Sequence, residues 1–139
     1  MMIPDANFRA ALKAKYPACF NASDMMDTTC SGIVNARQLT VSDKSILSLQ
    51  GIQYFKNLRG LNCSNNQLNA LPQLPGSLDY LNFTNNFITV APPLPAALKA
   101  LYCSNNLLTG FPALPSTLEE LYCFNNRITF LPALPDTLR

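Results

Sequence analysis

The sequence predicts an α/β-type repeat solenoid, with a parallel sheet on one side, an extended wall on the other and a small helical cap in front. Three observations carry this. A short strand phrase closed by two asparagines occurs four times, from Leu61 to Asn66, Leu81 to Asn86, Leu101 to Asn106 and Leu121 to Asn126, always 20 residues apart. Prolines recur on the same step, and the first 36 residues lack the phrase altogether. A fixed period of this length marks stacked supersecondary units that bury a continuous core between them.

Composition narrows the classes. The chain has 139 residues, enough for one domain with a real core. It is 48% hydrophobic and only 13% charged, so it is ordered and depends for solubility on neutral polar groups, chiefly asparagine. A net charge of +2 gives no strong field, which argues against nucleic acid or an anionic membrane as partner. No apolar run is long enough for a transmembrane helix. The opening Met1-Met2-Ile3-Pro4-Asp5 lacks a basic stretch followed by an apolar one, so no signal peptide is expected within this chain.

Residues 1–36 read as the cap and residues 37–139 as the solenoid. In the cap, Pro4 suits a first helical turn, and Phe8, Ala11, Leu12 and Lys15 follow at helical spacing until Pro17 ends the pattern. Ser23 is placed to start a short second helix through Met25 and Met26, and Gly32 to break the chain before Val34. Cys19 and Cys30 flank a small polar segment with little core of its own. A disulfide is the expected reading, implying an oxidising compartment, with two packed thiols as the alternative. An amphipathic helix with Phe8 and Leu12 inward would cover the open edge and apolar end of the first coil.

The coils follow as 39–60, 61–80, 81–100, 101–120 and a partial 121–139. The first is degenerate: Leu39-Thr40-Val41 stands for Leu61-Asn62-Cys63, Lys44 replaces the second asparagine, and the coil is two residues longer than the rest. Strand alternation sends Leu61 and Cys63 inward and Asn62 and Ser64 outward. Cys63, Phe83, Cys103 and Cys123 share one inward slot, so the three cysteines are expected as buried free thiols. Asn66, Asn86, Asn106 and Asn126 carry both a donor and an acceptor; pointing inward, they are expected to satisfy the backbone as it turns away from the sheet. The companions Asn65, Asn85, Asn105 and Asn125 are expected at the sheet edge, facing outward. The prolines exclude sheet and helix from the return path, leaving a polyproline-like wall from which Leu74, Leu94, Leu114 and Leu134 turn inward. Arg59, Asp79, Lys99, Glu119 and Arg139 occupy one repeat position with alternating sign and are expected to form an exposed charge ladder of weak pairs.

At this point the residues resemble a family. The coil pattern is similar to the leucine-rich repeat, and Leu71-Pro72-Gln73-Leu74-Pro75, Phe111-Pro112-Ala113-Leu114-Pro115 and Leu131-Pro132-Ala133-Leu134-Pro135 resemble the 20-residue bacterial type that ends in LPxLP. Ala91-Pro92-Pro93-Leu94-Pro95 departs only at its first residue. Ile3 to Arg9, with Leu49 to Phe55, is similar to the cap and first coil of secreted bacterial leucine-rich repeat proteins, and the latter phrase also to internalin-type repeats. The resemblance implies a concave parallel sheet, a convex outer wall, and a secreted or cell-surface bacterial protein whose repeats bind other proteins.

Binding is therefore expected on the concave face. Its outward positions gather Tyr80, Tyr102, Tyr122 and Phe124 toward the later coils, with Asn82, Asn105, Asn125, Glu120 and Arg127 around them. Rigid aromatics beside small polar groups are what an interface hot spot requires, whereas the same rings could serve only to cover the sheet by cross-strand packing. Catalysis is not expected: there is no histidine, no nucleophile with an evident base, and Glu119 and Glu120 are adjacent on a strand and so point apart. No metal site and no cofactor are expected. The reading is a non-enzymatic protein-binding module. The alternatives are the recognition arm of a larger effector, which in this repeat class can carry a ubiquitin-ligase domain after the repeats, or a purely structural or engineered scaffold. No closing cap is visible before Arg139, so self-association through an open end is also expected.

Overall fold

The computed structural model describes residues 1–139. Its cap begins with helix α1 (Ala6–Lys15), started by Asp5, whose Oδ1 accepts the N–H of Phe8 at 2.8 Å. Phe8 and Leu12, one turn apart on α1, are buried, and the helix ends at Tyr16 before a 3-10 turn over Pro17–Cys19. The second Asp5 oxygen, Oδ2, accepts the N–H groups of Leu47 at 2.8 Å and Ser48 at 3.1 Å. Asn7 adds a bond from its side-chain amide to the Ser45 carbonyl at 3.0 Å. A single carboxylate therefore starts the helix and fastens it to the first coil.

The second half of the cap departs from expectation. No helix runs through Met25 and Met26. Instead Asn21 Oδ1 accepts the N–H groups of Ser23 at 2.9 Å and Met25 at 3.0 Å, and Asp24 adopts a left-handed φ of 57°. This side-chain turn competes with helix and reverses the chain. Met25 and Met26 then form single antiparallel bridges with Met2 and Phe20. Helix α2 lies later, at Ser31–Val34, and contains Gly32 instead of stopping at it. The glycine is there for space: a Cβ would lie 3.1 Å from the Cys19 sulfur, which is joined to Cys30 in a disulfide.

Five three-residue strands make the sheet: β1 (Gln38–Thr40), β2 (Gly60–Asn62), β3 (Tyr80–Asn82), β4 (Ala100–Tyr102) and β5 (Glu120–Tyr122). All neighbours are parallel and in chain order, so each coil lays one strand beside the last. The register pairs Leu39, Leu61, Leu81, Leu101 and Leu121 across the sheet. The first four are buried, as are Leu58, Leu78, Leu98 and Leu118 one coil apart at the approach to each strand. Side chains of identical position thus stack into apolar columns, which is how such short strands share one core.

The opposite wall of the second to fifth coils carries neither helix nor strand. Each pass ends in a tight turn in which a proline carbonyl accepts the N–H of the leucine three residues on: Pro75 to Leu78, Pro95 to Leu98, Pro115 to Leu118 and Pro135 to Leu138, at 3.0–3.3 Å. Proline lacks a donor but keeps its acceptor, so this position suits it. The first coil instead places a 3-10 turn (Ile52–Tyr54) after Gly51, which has φ 116° and leaves no room for a Cβ beside Ile3 of the cap. Inward packing of the wall leucines weakens along the stack: Leu74 is buried, Leu94 and Leu114 are half-buried, and Leu134 is 52% exposed. Leu134 is exposed because in this structure no later coil lies against it.

A hydroxyl clasp links coil to coil. Thr117 Oγ1 donates to the carbonyl oxygens of Ala96 and Leu98 at 2.9 and 2.8 Å, and Ser77 and Thr137 do the same two coils earlier and one later. Ala97 holds the equivalent position without a hydroxyl. Ala97→Thr should therefore stabilise the fold by about 1 kcal/mol, by restoring a donor to the Gly76 and Leu78 carbonyls. The midpoint of urea unfolding reads this directly, and an unchanged or lower midpoint would show that the clasp is incidental. The charge column is present at three steps: Arg59 with Asp79 at 3.5 Å, Lys99 with Glu119 at 3.9 Å and Arg139 with Glu119 at 3.8 Å. Asp79 and Lys99 do not pair, so the ladder is broken in its middle. All its members are solvated, and each pair contributes little.

Candidate functional site

The asparagine pair that closes each strand performs two different jobs. The inner residue turns into the core. Asn106 is 5% exposed; its Nδ2 donates to the carbonyls of Phe83, Cys103 and Ser104, and its Oδ1 accepts the N–H of Ile88 at 3.0 Å. Asn66, Asn86 and Asn126 repeat the pattern on their own and the preceding coil. The outer residue supplies backbone conformation: Asn65, Asn85, Asn105 and Asn125 all have left-handed φ, between 52° and 56°. Asparagine tolerates this region better than other residues with a Cβ. Their side chains form a second, exposed ladder, Asn85 donating to Asn65, Asn105 to Asn85 and Asn125 to Asn105 at 2.6–2.7 Å. Those amides are thus already spoken for by one another along the sheet edge.

Inside this edge lie the outward columns of the sheet. One runs Gln38, Gly60, Tyr80, Ala100, Glu120, and the next Thr40, Asn62, Asn82, Tyr102, Tyr122. The tyrosines of the two columns meet. Tyr80 and Tyr102 have ring centroids 5.5 Å apart at 42°, and Tyr102 stacks on Tyr122 at 4.8 Å and 6°. Asn82 Nδ2 reaches the Tyr80 hydroxyl at 3.4 Å, and the Tyr102 hydroxyl donates a short hydrogen bond to Glu120 Oε2. That bond, with lesser desolvation and the carboxylate's charge, raises the Tyr102 phenol to about 12. The phenol is therefore a neutral donor held in one direction at neutral pH. Tyr122 remains 49% exposed and Phe124, in the third column, 60%. Tyr80, Tyr102, Tyr122, Asn82 and Glu120 form one connected group. Arg127 lies beyond the outer ladder, in register with Gln67, Phe87 and Leu107, and makes no ion pair or side-chain hydrogen bond.

The third outward column holds Ser42, Ser64, Thr84, Ser104 and Phe124. Two members of this outward column are nonetheless covered: Ser64 is 8% and Ser104 2% exposed. Ser64 Oγ donates to Asn62 Oδ1 at 2.7 Å, but two coils on the asparagine is replaced by Tyr102 and the Ser104 hydroxyl has no partner. The aromatic patch thus stands where the second coil keeps a hydroxyl bond from Ser64 to Asn62.

The inward slot holds free thiols at Cys63, Cys103 and Cys123. Burial pushes the Cys63 thiol up to about 12 and raises those of Cys103 and, less, Cys123. Away from the sheet, on the outer wall, a hollow of about 650 Å³ lies between Leu71, Pro72 and Leu74 on one coil and Val90, Pro93 and Leu94 on the next. Ala91 there stands where its neighbours carry the larger Leu71 and Phe111. No charged side chain lines this hollow.

These coils define a leucine-rich repeat fold, a five-stranded parallel solenoid with few helices. Among solved structures the chain is similar to the leucine-rich repeat domain of a Shigella effector, at 29% identity and TM-score 0.78 over all of this chain and 57% of that one. It is also similar to the leucine-rich effector YopM from Yersinia pestis, at 27% identity and TM-score 0.52 over 73% of this chain and 40% of that one. YopM from Yersinia enterocolitica WA-314 matches at 26% identity and TM-score 0.50, over 67% of this chain and 25% of that one. The chain therefore spans little more than half of the Shigella domain and less of either YopM. No protein-family model and no curated protein matches the sequence. No helix is long and apolar enough to cross a membrane.

Proposed function

We propose that the chain is a non-enzymatic protein-binding module of the bacterial LPxLP type, secreted or surface-exposed, which takes its partner on the concave sheet. The observation that carries this reading is the tyrosine group of Tyr80, Tyr102 and Tyr122, spread over three coils, the first two half-buried and Tyr122 exposed. Three rings held rigid by the sheet lose little side-chain entropy when a partner covers them, which is the property that makes tyrosine an interface anchor. The likeness to bacterial leucine-rich repeat effectors supports both the class and the setting.

The test uses wild type and the double variant Tyr102→Ala/Tyr122→Ala, immobilised side by side and exposed to extracts of host cells. A partner using this face should bind the variant about thirtyfold more weakly or not at all, the loss expected for removing hot-spot aromatics. Because neither ring belongs to the buried core, the variant should remain folded, and its urea midpoint, read in parallel, separates lost stacking from lost binding. A partner that binds both proteins equally would remove the concave face from consideration.

A further inference from the structure

We infer that the tyrosine group and Glu120 together form a receptor for an arginine side chain, presented by a basic segment of the protein partner. This rests on the concave face being the binding face and adds the chemistry that the face selects. The first support is charge. Across the three outward columns of the sheet, the one charged side chain is Glu120. The chain as a whole carries +2, so its cations lie elsewhere; Lys99 and Arg139 are engaged with Glu119, which strand alternation directs away from Glu120. Glu120 has no ion-pair partner of its own. A partner placing an anion here meets repulsion, and one placing a cation meets a carboxylate with no competing counter-charge.

The second support is the pairing of that carboxylate with aromatic faces. Glu120 and Tyr122 are two residues apart on β5, so both stand on the same face of the sheet. One carboxylate oxygen, Oε2, is taken by the Tyr102 hydroxyl, which fixes the group beside the stacked rings; the other, Oε1, makes no hydrogen bond. A cation over a tyrosine ring is attracted to its face, and a free carboxylate oxygen at the rim supplies the hydrogen-bond acceptor. A planar guanidinium meets both at once, lying on the exposed ring surface while one N–H reaches Oε1. A lysine ammonium is more strongly hydrated and cannot stack.

The experiment titrates the protein with N-acetyl-arginine amide, N-acetyl-lysine amide and N-acetyl-citrulline amide, following the tyrosine ring signals by NMR. The arginine compound should give saturable shifts at Tyr102 and Tyr122. The lysine compound should bind about tenfold more weakly, and uncharged citrulline should give no saturable shift. Glu120→Gln, an exposed change that leaves the rings in place, should weaken the arginine response about tenfold. Equal responses to arginine and citrulline, or an undiminished response in Glu120→Gln, would overturn the inference. A partner that loses affinity for Tyr102→Ala/Tyr122→Ala but binds Glu120→Gln as it binds wild type would also overturn it, while leaving the concave face as the binding surface. A partner indifferent to all of these changes would count against that surface itself.

Discussion

Replacing Asn106 by aspartate is expected to cost about 3–5 kcal/mol, although the two side chains have the same shape. The amide donates to the carbonyls of Phe83, Cys103 and Ser104 and accepts from Ile88 N–H, all in a site 5% exposed. Aspartate keeps the acceptor for Ile88 but turns a second oxygen toward three carbonyl oxygens. Every donation is lost, and a charge is buried among acceptors. Since domains of this size are stable by roughly 5–15 kcal/mol, such a loss approaches unfolding. The neighbouring change Asn105→Gly gives the contrast. Glycine retains the left-handed backbone at φ 56°, and only the exposed amide ladder is interrupted. That variant should stay within about 1 kcal/mol of wild type. Urea unfolding of the pair decides the matter: equal losses would mean that the two columns do not divide the work as their hydrogen bonds indicate.

The inner column was readable from the sequence because its logic is local. An asparagine after every strand, on a strict period, has few uses other than satisfying the turning backbone. The outer column carries a further signal: a second asparagine at each turn marks a left-handed residue, since asparagine is the side chain that most readily replaces glycine there. Phe8 and Leu12 were likewise visible as the inward face of the cap. The Asp5 clasp was not, because it joins residues more than forty positions apart and depends on where α1 lands on the first coil. Met25 and Met26 depart from the expected helix for a related reason. Their position after Ser23 satisfies the rules for a helix start, but Asn21 takes the Met25 N–H and the Met1 carbonyl takes that of Met26. At the site, the grouping of tyrosines followed from strand alternation, whereas the bond from Tyr102 to Glu120 requires the 20-residue register to set neighbouring strands side by side.

Phe83→Cys tests how far the repeat itself can be trusted as a guide to tolerance. The substitution makes its column uniform, cysteine at 63, 83, 103 and 123, and by the pattern alone it should be silent. The structure argues otherwise. Phe83 is fully buried and among the largest side chains of the core, between coils whose own residues at this position, Cys63 and Cys103, are also buried. The coils are held at their spacing by the sheet ladder and by the asparagine bonds on both sides, so they cannot close over a missing ring. Removing it should leave a cavity and cost about 3 kcal/mol, equivalent to a fall in Tm of roughly 10 °C. The reverse change, Cys103→Phe, should also destabilise, by about 1–3 kcal/mol, because the preceding coil already supplies a full-sized ring in Phe83. Neither loss is expected to be rescued by a change on the exposed face, since additivity holds for sites without shared neighbours. If thermal unfolding finds Phe83→Cys as stable as wild type, the column is a set of independent slots. A clear loss in both variants means that its residues were fitted to one another, coil by coil.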